Sequence, residues 1–444
     1  MQIELSGHYG KRRIMRTVWP TMLMFVVTSV YSVVDGLFIS NFTGKTSFAA
    51  INLVMPVLMV VGALGLMTGT GGSALVSKIL GEGSEYKARK IFSMLVYFSI
   101  IVGVGFSVLL ILLMRPISIA LGADEAMTDT CVLYGRIYSA GMTFFILQNA
   151  FQALYMTAEK PQLGTIISVV CGVVNIVLDA LFVAVLDWGV TGAGLATVTA
   201  MAVGGIFPIV YFSSKWNTSR MRLVPAKLNW RHLLQANLNG MSEFVANIAM
   251  SVCSMCYNIQ LMRYVGENGV AAYGIMMYVG YVFVAVLMGY NVGISPIAAY
   301  NYGAQDHQEL KSLLRKSVVL ITGIQVALFV AAEILSRPLS AIFVSYDSEL
   351  LEFTVRAFRI NMTAFLICGY SYFASAFFTA LNNGPISALI SFTRTLVFEL
   401  ACVWILPLIL GIDGIWLSWA TSEVLAIMLC IGLLWKYRNT YHYL

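Results

Sequence analysis

Charged side chains are scarce in this sequence. Asp, Glu, Lys and Arg make up 11% of its 444 residues, whereas hydrophobic residues make up 59%. A soluble domain carries about 25% charged residues, so this composition indicates a membrane protein. No long polar block interrupts the apolar segments, which argues against one membrane anchor attached to a globular domain. The fold class we expect is an all-α polytopic membrane protein.

The sequence also lacks the residue clusters on which most enzymes depend. Its four histidines lie near loops and chain ends, so none is placed for catalysis or metal binding within the membrane. Cys253 and Cys256 form a CxxC without a second pair, and we interpret them as small core residues. The GTGGS run at 69–73 is followed by neither GKS nor GKT, so we reject a phosphate-binding loop. We therefore expect neither an enzyme nor a cofactor.

Twelve apolar segments are long enough to cross a bilayer, which takes about 20 residues of helix. They lie at 15–40, 49–77, 91–114, 130–157, 162–186, 189–213, 236–262, 270–301, 317–336, 353–381, 385–410 and 412–435. Basic residues concentrate in alternate loops. The positive-inside rule then predicts a multi-pass protein of the cell membrane with both termini in the cytoplasm. Because this rule explains the basic residues, the net charge of +6 does not indicate nucleic acid.

The two halves of the chain are similar to each other. A shift of 222 residues, half of 444, brings Gly71 onto Gly293 and Gly81 onto Gly303. Each half holds six spans, an even number, so the copies share one orientation, as in transporters that rock around a central cavity. The segment between the halves either forms an amphipathic surface helix or is a solvated linker. The predicted domains are an N-terminal lobe at 1–213, this cytoplasmic linker at 214–235 and a C-terminal lobe at 236–444.

Two aspartates lie at apparent membrane depth in the first half. Asp35 is in the first span and Asp179 in the fifth, whereas the shift places Tyr257 and Ala401 at the equivalent positions of the second half. Ionisable residues at this depth are costly and usually mark a pathway, although a structural pair with a neighbouring helix is the alternative. The asymmetry between the halves favours a coupling site for a cation in the first half.

Neutral polar residues accompany the two aspartates. Asn175 and Tyr31 each lie one helical turn before one of them. Carboxylate, amide and hydroxyl oxygens suit Na+, for which Asp35, Asp179 and Asn175 are the candidate ligands, or a proton held on a desolvated aspartate. Each neutral residue alone would fit a helix-packing hydrogen bond better, so only the cluster supports function. The candidate coupling residues are Asp35, Asp179, Asn175, Tyr31, Asn149, Gln152 and Thr197.

The second half offers candidates for a substrate cavity. Glu243, at the start of the seventh span, is the best placed acid to attract a cationic substrate, and Tyr257, Asn291 and Met288 complete the candidate set. Arg394 begins the eleventh span and could pair with Glu399 about one turn further on, which would be a structural role. The many methionine and aromatic residues suit a soft, adaptable cavity.

Three runs of the sequence resemble one transporter family. They are VVDGLFISNFTG followed by AAINLVMP, GTGGSALVSKILGEG, and NIVLDALF followed by WGVTGAGLAT. These runs are similar to the multidrug and toxic compound extrusion (MATE) transporters, in particular to their MepA-like bacterial branch, and the similarity covers nearly the whole chain. The resemblance implies twelve helices in two six-helix bundles, arranged as a V around a central cavity.

The resemblance also implies roles for individual residues. It gives the two aspartates and Asn175 the coupling site, with Tyr31, Asn149 and Thr197 in supporting positions. Gln152 stands where relatives carry asparagine. In the second half, Glu243 matches a seventh-helix acid of other branches, but the tenth span, FLICGYSYFASAFFTAL, has no acid at all.

These observations together predict a secondary antiporter. We expect a monomer in the lipid bilayer that exports small cationic or amphipathic molecules in exchange for H+ or Na+ by alternating access. The alternative is a flippase for lipid-linked sugars or lipids of the same superfamily. Such a flippase needs a cavity rich in Arg and Lys to hold pyrophosphate, whereas Arg394 is the one basic residue that we place deep within a span, away from its ends.

Overall fold

The structure is a computed structural model that describes residues 4–344 and 347–443, and all regular elements in these ranges are helical. Ten of the described helices are long and apolar enough to cross a membrane, and two bent helix pairs raise the number to twelve. The predicted all-α polytopic fold is therefore confirmed. In chain order, spans 1 to 6 are Lys11–Phe42, Lys45–Gly81, Glu85–Ala120, Glu125–Ala140 with Met142–Thr157, Pro161–Asp179 with Ala180–Val185, and Gly189–Ser213. Spans 7 to 12 are Met241–Tyr264, Glu267–Gly303, His307–Val344, Ser348–Met362 with Thr363–Leu366 and Cys368–Ala380, Gly384–Phe392 with Thr393–Glu399 and Leu400–Leu410, and Ile412–Tyr441.

Several helices run well beyond the apolar segments that the sequence predicts. Hydropathy alone predicts span 3 over 91–114, whereas the helix runs over 36 residues, Glu85–Ala120. At about 1.5 Å per residue, such a helix is about 54 Å long, against about 30 Å of hydrocarbon. The polar ends of these helices therefore extend beyond the hydrocarbon, because backbone hydrogen bonding continues where the apolar sequence stops.

Two spans are bent rather than straight. Span 4 turns by 55° at Gly141, and span 10 turns by 41° at Ile367. A Cβ atom on Gly141 would lie 2.8 Å from the Val198 side chain, so the glycine lets span 6 approach the bend closely. Each bend redirects the second part of its span along the interior of the same half.

The halves meet in a reciprocal contact between spans 2 and 8. A Cβ atom on Gly81 would lie 2.0 Å from the Tyr300 carbonyl oxygen, and one on Gly303 would lie 2.0 Å from the Lys78 carbonyl oxygen. The shift of 222 residues relates Gly81 to Gly303 and Lys78 to Tyr300, so the two contacts are copies of each other. Such mutual pairing is what a two-fold relation between similar units produces.

Two further close contacts join the halves. A Cβ atom on Gly289 of span 8 would lie 2.4 Å from the Met22 Cα atom of span 1. One on Gly71 of span 2 would lie 2.3 Å from the backbone nitrogen of Gly240, just before span 7. Side chains at these glycines would force the helices apart, so the residue type sets how closely the halves pack.

A short helix, Trp230–Asn239, lies between spans 6 and 7. The Asn229 side chain caps it by accepting hydrogen bonds from the first backbone N–H groups of the helix. Leu233 is buried, whereas Trp230 and Leu234 are exposed by 73% and 60%. An apolar face is thus left at the surface of the protein, where an amphipathic helix would meet lipid.

The segment before span 1 connects the two halves at the end where the described chain begins and ends. The Leu5 N–H donates to Glu159 of the first half at 3.0 Å, and the Tyr9 N–H donates to Glu309 of the second half at 2.9 Å. His8 Nδ1 lies 2.6 Å from the other Glu309 oxygen. Tyr9 and Glu309 are buried. We refer to residues 4–10 as the N-terminal bridge.

Candidate functional site

The two aspartates that the sequence singles out come together inside the first half. Asp35 in span 1 is 8% exposed and Asp179 in span 5 is fully buried. Asp35 is close enough to interact with the side chains of both Asp179 and Asn175, and Thr197 Oγ1 donates a hydrogen bond to it at 3.3 Å. Within the described residues, no donor reaches either carboxylate oxygen of Asp179 or the side-chain oxygen of Asn175.

This arrangement leaves negative charge without compensation. Two adjacent buried carboxylates repel each other, and the desolvation of each ion costs on the order of several kcal/mol. A proton shared by the pair, or a monovalent cation bound by oxygens of Asp35, Asp179 and Asn175, would remove most of that cost. No three His, Cys, Asp or Glu side chains come together as a metal site in the part of the chain that the structure describes.

The other residues of the predicted coupling group lie at different places. The Tyr31 hydroxyl accepts a hydrogen bond from Gln148 of span 4 at 3.2 Å. Asn149 donates to the Gly62 carbonyl at 3.0 Å, which holds span 4 against span 2. Gln152 is buried, and no hydrogen bond joins it to either aspartate among the described residues. Asn149 thus has the helix-packing contact that the sequence leaves open as its alternative role.

Two tyrosines and a glutamine lie near this site although the sequence did not single them out. Tyr134 and Tyr138 of span 4 are buried close to Asp35, with ring centroids 5.9 Å apart. Gln148 holds the Tyr31 hydroxyl, as described above. A spacing of four places Tyr134 and Tyr138 on one helix face, but the same spacing occurs widely in packed helices.

Asp179 lies where the α-helix of span 5 changes its geometry. The α-helix ends at Asp179, and Ala180–Val185 continues as a π-helical segment. Such segments insert extra backbone into a helix and occur frequently at functional sites. Span 11 has its own π-helical segment, Thr393–Glu399, which carries Arg394. Each half therefore places an ionisable residue at a π-helical segment of its fifth span.

A cavity lies between the halves, with walls drawn mainly from spans 7, 8, 10 and 11. Three of the four cavity candidates from the sequence, Glu243, Met288 and Asn291, line this cavity. Tyr257 does not: its side chain is 2% exposed and stacks on Tyr273 at 4.9 Å inside the second half. The prediction for Tyr257 is corrected, because its helix face is packed against span 8 rather than turned to the cavity.

The cavity also contains the buried arginine. Arg394 pairs with Glu423 of span 12 at 3.4 Å, and its guanidinium lies over the Tyr372 ring at 3.7 Å. Glu423 further accepts hydrogen bonds from Ser371 at 2.5 Å and from the Trp419 indole at 3.3 Å. The partner is therefore Glu423, not the Glu399 that the sequence suggests, because span 12 brings Glu423 directly to the guanidinium.

Comparisons with known proteins agree with this architecture. The family model MatE matches residues 20–181 and 244–405. The Multidrug export protein MepA of Staphylococcus haemolyticus (strain JCSC1435) is 23% identical over 420 residues, covering 95% of this chain and 92% of that protein. MepA of Staphylococcus saprophyticus subsp. saprophyticus is 25% identical over 418 residues, covering 94% and 92%. A solved structure described as the outward-facing conformation of a multidrug resistance MATE family transporter has a TM-score of 0.91 at 22% identity, covering 98% of this chain and 96% of that chain.

Proposed function

Because the chain belongs to the MatE family, we propose that it is a secondary antiporter that exports organic cations in exchange for H+ or Na+. The observation that carries the proposal is the buried pair of Asp35 and Asp179, whose charge has no compensation within the described residues. A purely structural acid would be expected to have a basic partner. This pair has instead an amide and a hydroxyl beside it, which suits a cation that comes and goes.

The proposed mechanism couples the charge of this pair to the conformation of the protein. Binding of the coupling ion neutralises the carboxylates and changes the relative stability of the two alternating forms. A ligand shifts such an equilibrium only by its differential affinity for the two forms. The substrate would bind in the cavity between the halves, where Glu243 offers a carboxylate to its cationic group. The lobes that we propose to rock are residues 1–213 and 236–444, joined by 214–235.

The sequence supports the orientation and assembly that we propose. The basic loops favour the cell membrane with both chain ends on the cytoplasmic side. The N-terminal bridge would then close the cytoplasmic end of the protein. A monomer suffices for this mechanism, since both the ion site and the cavity are formed within one chain. A lipid-linked sugar flippase is not supported, because the arginine that lines the cavity is already paired with Glu423.

Transport by the purified protein in proteoliposomes tests the proposal. A pH gradient and a Na+ gradient are imposed in separate experiments, and we expect one of them to drive ethidium transport by the wild type. The gradient that drives transport identifies the coupling ion. D35N should lose this gradient-driven transport. D129N is the matched control, because it removes the same charge from a residue exposed in the structure. Gradient-driven transport that persists in D35N, or wild-type transport that depends on neither gradient, would refute the coupling role.

A further inference from the structure

We propose that the segment between the halves, residues 214–239, binds the anionic headgroups of the adjacent membrane leaflet. Its short helix, Trp230–Asn239, lies along the interface with one apolar stripe among the acyl chains, while basic residues of the segment meet the headgroup phosphates. The inference concerns a lipid partner of the protein and does not depend on the proposed antiport.

The short helix packs against the spans at the level where their apolar segments begin. A Cβ atom on Gly71 of span 2 would lie 2.0 Å from the Ala236 carbonyl oxygen, and one on Gly384 of span 11 would lie 2.2 Å from the Leu238 carbonyl oxygen. The backbone N–H of the residue before the helix donates to the Met94 sulfur of span 3 at 3.3 Å. Gly71 and Met94 fall inside the apolar segments of their spans, and Gly384 immediately precedes that of span 11. The helix therefore lies at the membrane interface rather than further out in water.

Exposed apolar side chains form one stripe along this helix. Trp230, Leu234 and Leu238 recur every four residues, so they share a face, and they are exposed by 73%, 60% and 43%. Leu233 and Ala236, on the adjoining face, are buried against the protein. A helix at the interface that turns a second apolar face outward places that face among the acyl chains.

The same segment carries positive charge and no acid. Its exposed basic residues are Lys215, Arg220, Arg222, Lys227 and Arg231. The sequence contains no Asp or Glu between Asp187 and Glu243. Among the described residues, Arg220 is the only one of the five with an ion pair, which it forms with Glu159 at 3.8 Å. Four cations of the segment thus have no anionic partner in the part of the chain that the structure describes.

A cation from span 3 adds to this charge beside the helix. The pKa of His232 is lowered by its partial burial and, in addition, by the positive charges of Lys87 and Arg231. An anionic leaflet attracts each Lys or Arg at its surface with a free energy that corresponds to about fivefold in affinity. The positive-inside rule explains why cations lie at this end of the protein, but not why they lack acid partners next to an apolar stripe.

Quenching by labelled lipids tests the inference in the full chain. Cys256 is replaced by serine, since the other six cysteines are buried, and a fluorophore is attached to Gln235→Cys on the exposed side of the helix. The protein is placed in phosphatidylcholine nanodiscs with a small fraction of nitroxide-labelled lipid, either phosphatidylglycerol or phosphatidylcholine. The ratio of quenching by the two labelled lipids measures the preference for an anionic headgroup at this helix.

We expect phosphatidylglycerol to be preferred by about fivefold or more, since at least one unpaired cation acts on its headgroup. K227Q/R231Q should abolish this preference and leave quenching by phosphatidylcholine unchanged. K11Q/R12Q is the matched control, because it removes two exposed positive charges at the same end of the protein, and it should leave the preference unchanged. About 1 M NaCl should also abolish the preference, because it screens charges beyond about 3 Å.

The salt experiment needs no substitution in the segment's basic residues, so it decides the question if K227Q/R231Q is unstable. The inference is overturned by equal quenching from both lipids at low salt, or by a preference that survives 1 M NaCl or K227Q/R231Q. An equal loss in K11Q/R12Q would also overturn it, and so would an absence of quenching by either lipid, which would place the helix in water. None of these measurements uses a gradient or a substrate, so their failure is separate from a failure of the proposed antiport.

Discussion

Asp179 is fully buried, and no described donor reaches either of its carboxylate oxygens. Buried polar groups without partners are rare, and each requires a reason. The sequence alone identifies Asp35, Asp179 and Asn175, because an ionisable residue in an apolar run is conspicuous and its helical neighbours follow from the spacing. It does not identify Gln148, Tyr134 or Tyr138, because neutral polar side chains are common in packed spans.

At the residue scale, Asp179→Asn should raise thermal stability while it abolishes coupled transport. The amide removes the repulsion with Asp35 and can donate a hydrogen bond to it. We expect a melting temperature at or above that of the wild type, measured in detergent at neutral pH, together with loss of gradient-driven ethidium transport. D129N should change neither property. A marked fall in melting temperature would mean that the Asp179 carboxylate stabilises the fold.

The partner of Arg394 shows what residue spacing cannot supply. Glu399 lies five positions after Arg394, whereas Glu423 lies on the next span, yet Glu423 forms the ion pair. Which helix faces meet depends on how spans 10, 11 and 12 rotate against each other, and hydropathy contains no such information.

At the scale of the element, the sequence predicts the number and order of the spans but not their irregularities. Long apolar runs make the spans visible, whereas the bends at Gly141 and Ile367 were not predicted. The π-helical segments in spans 5 and 11 have no comparable signal. They depend on the packing of neighbouring helices, so their coincidence with Asp179 and Arg394 becomes visible only in the structure.

Gly81→Ala tests the contact between spans 2 and 8. The added Cβ atom would lie 2.0 Å from the Tyr300 carbonyl oxygen, so the helices must separate. Overpacking of this kind costs about 1–3 kcal/mol, and we expect a lower melting temperature. Gly105→Ala is the control, because a Cβ atom there meets nothing within 4 Å and alanine favours the helix. A Gly81→Ala protein that melts as high as the wild type would contradict the close contact.

At the scale of the whole molecule, the N-terminal bridge joins residues that lie far apart in the chain. It contacts Glu159 of the first half and Glu309 of the second, and the Lys316 ammonium donates to the Tyr9 carbonyl at 2.5 Å. No sequence pattern predicts this bridge, because the segment is short and polar and its partners are distant in sequence. It would have to release one half whenever that end of the protein opens.

Glu309→Gln should therefore favour opening at this end. The change weakens the charged contact with His8, and we expect the ratio of open to closed forms to rise about fivefold or more, within what one charge-assisted hydrogen bond contributes. Spin labels at the exposed residues Tyr86 and Gln308, one in each half, would report the distance across this end. Cys256, which is only partly buried, would be replaced by serine first.

The matched control for this prediction is Glu82→Gln. Glu82 lies at the same end, and its ion pair, at 3.9 Å, is with Lys78 of its own helix. The spin-label distance distribution of the Glu82→Gln protein should match that of the wild type. Identical distributions for Glu309→Gln and the wild type would mean that the bridge does not influence the conformational equilibrium.

The aspartate pair lies within the first half, whereas the cavity takes most of its wall from the second. The substrate and the coupling ion would then not compete for the same side chains. The ratio in which they are exchanged would therefore not be set by direct displacement of one by the other. A conformational change that links the two sites would have to pass through the close contacts between the halves at Gly71 and Gly289. Substitutions at these two glycines should therefore uncouple transport. Such a variant would still bind the substrate and the coupling ion, but the ion would cross the membrane without export of substrate.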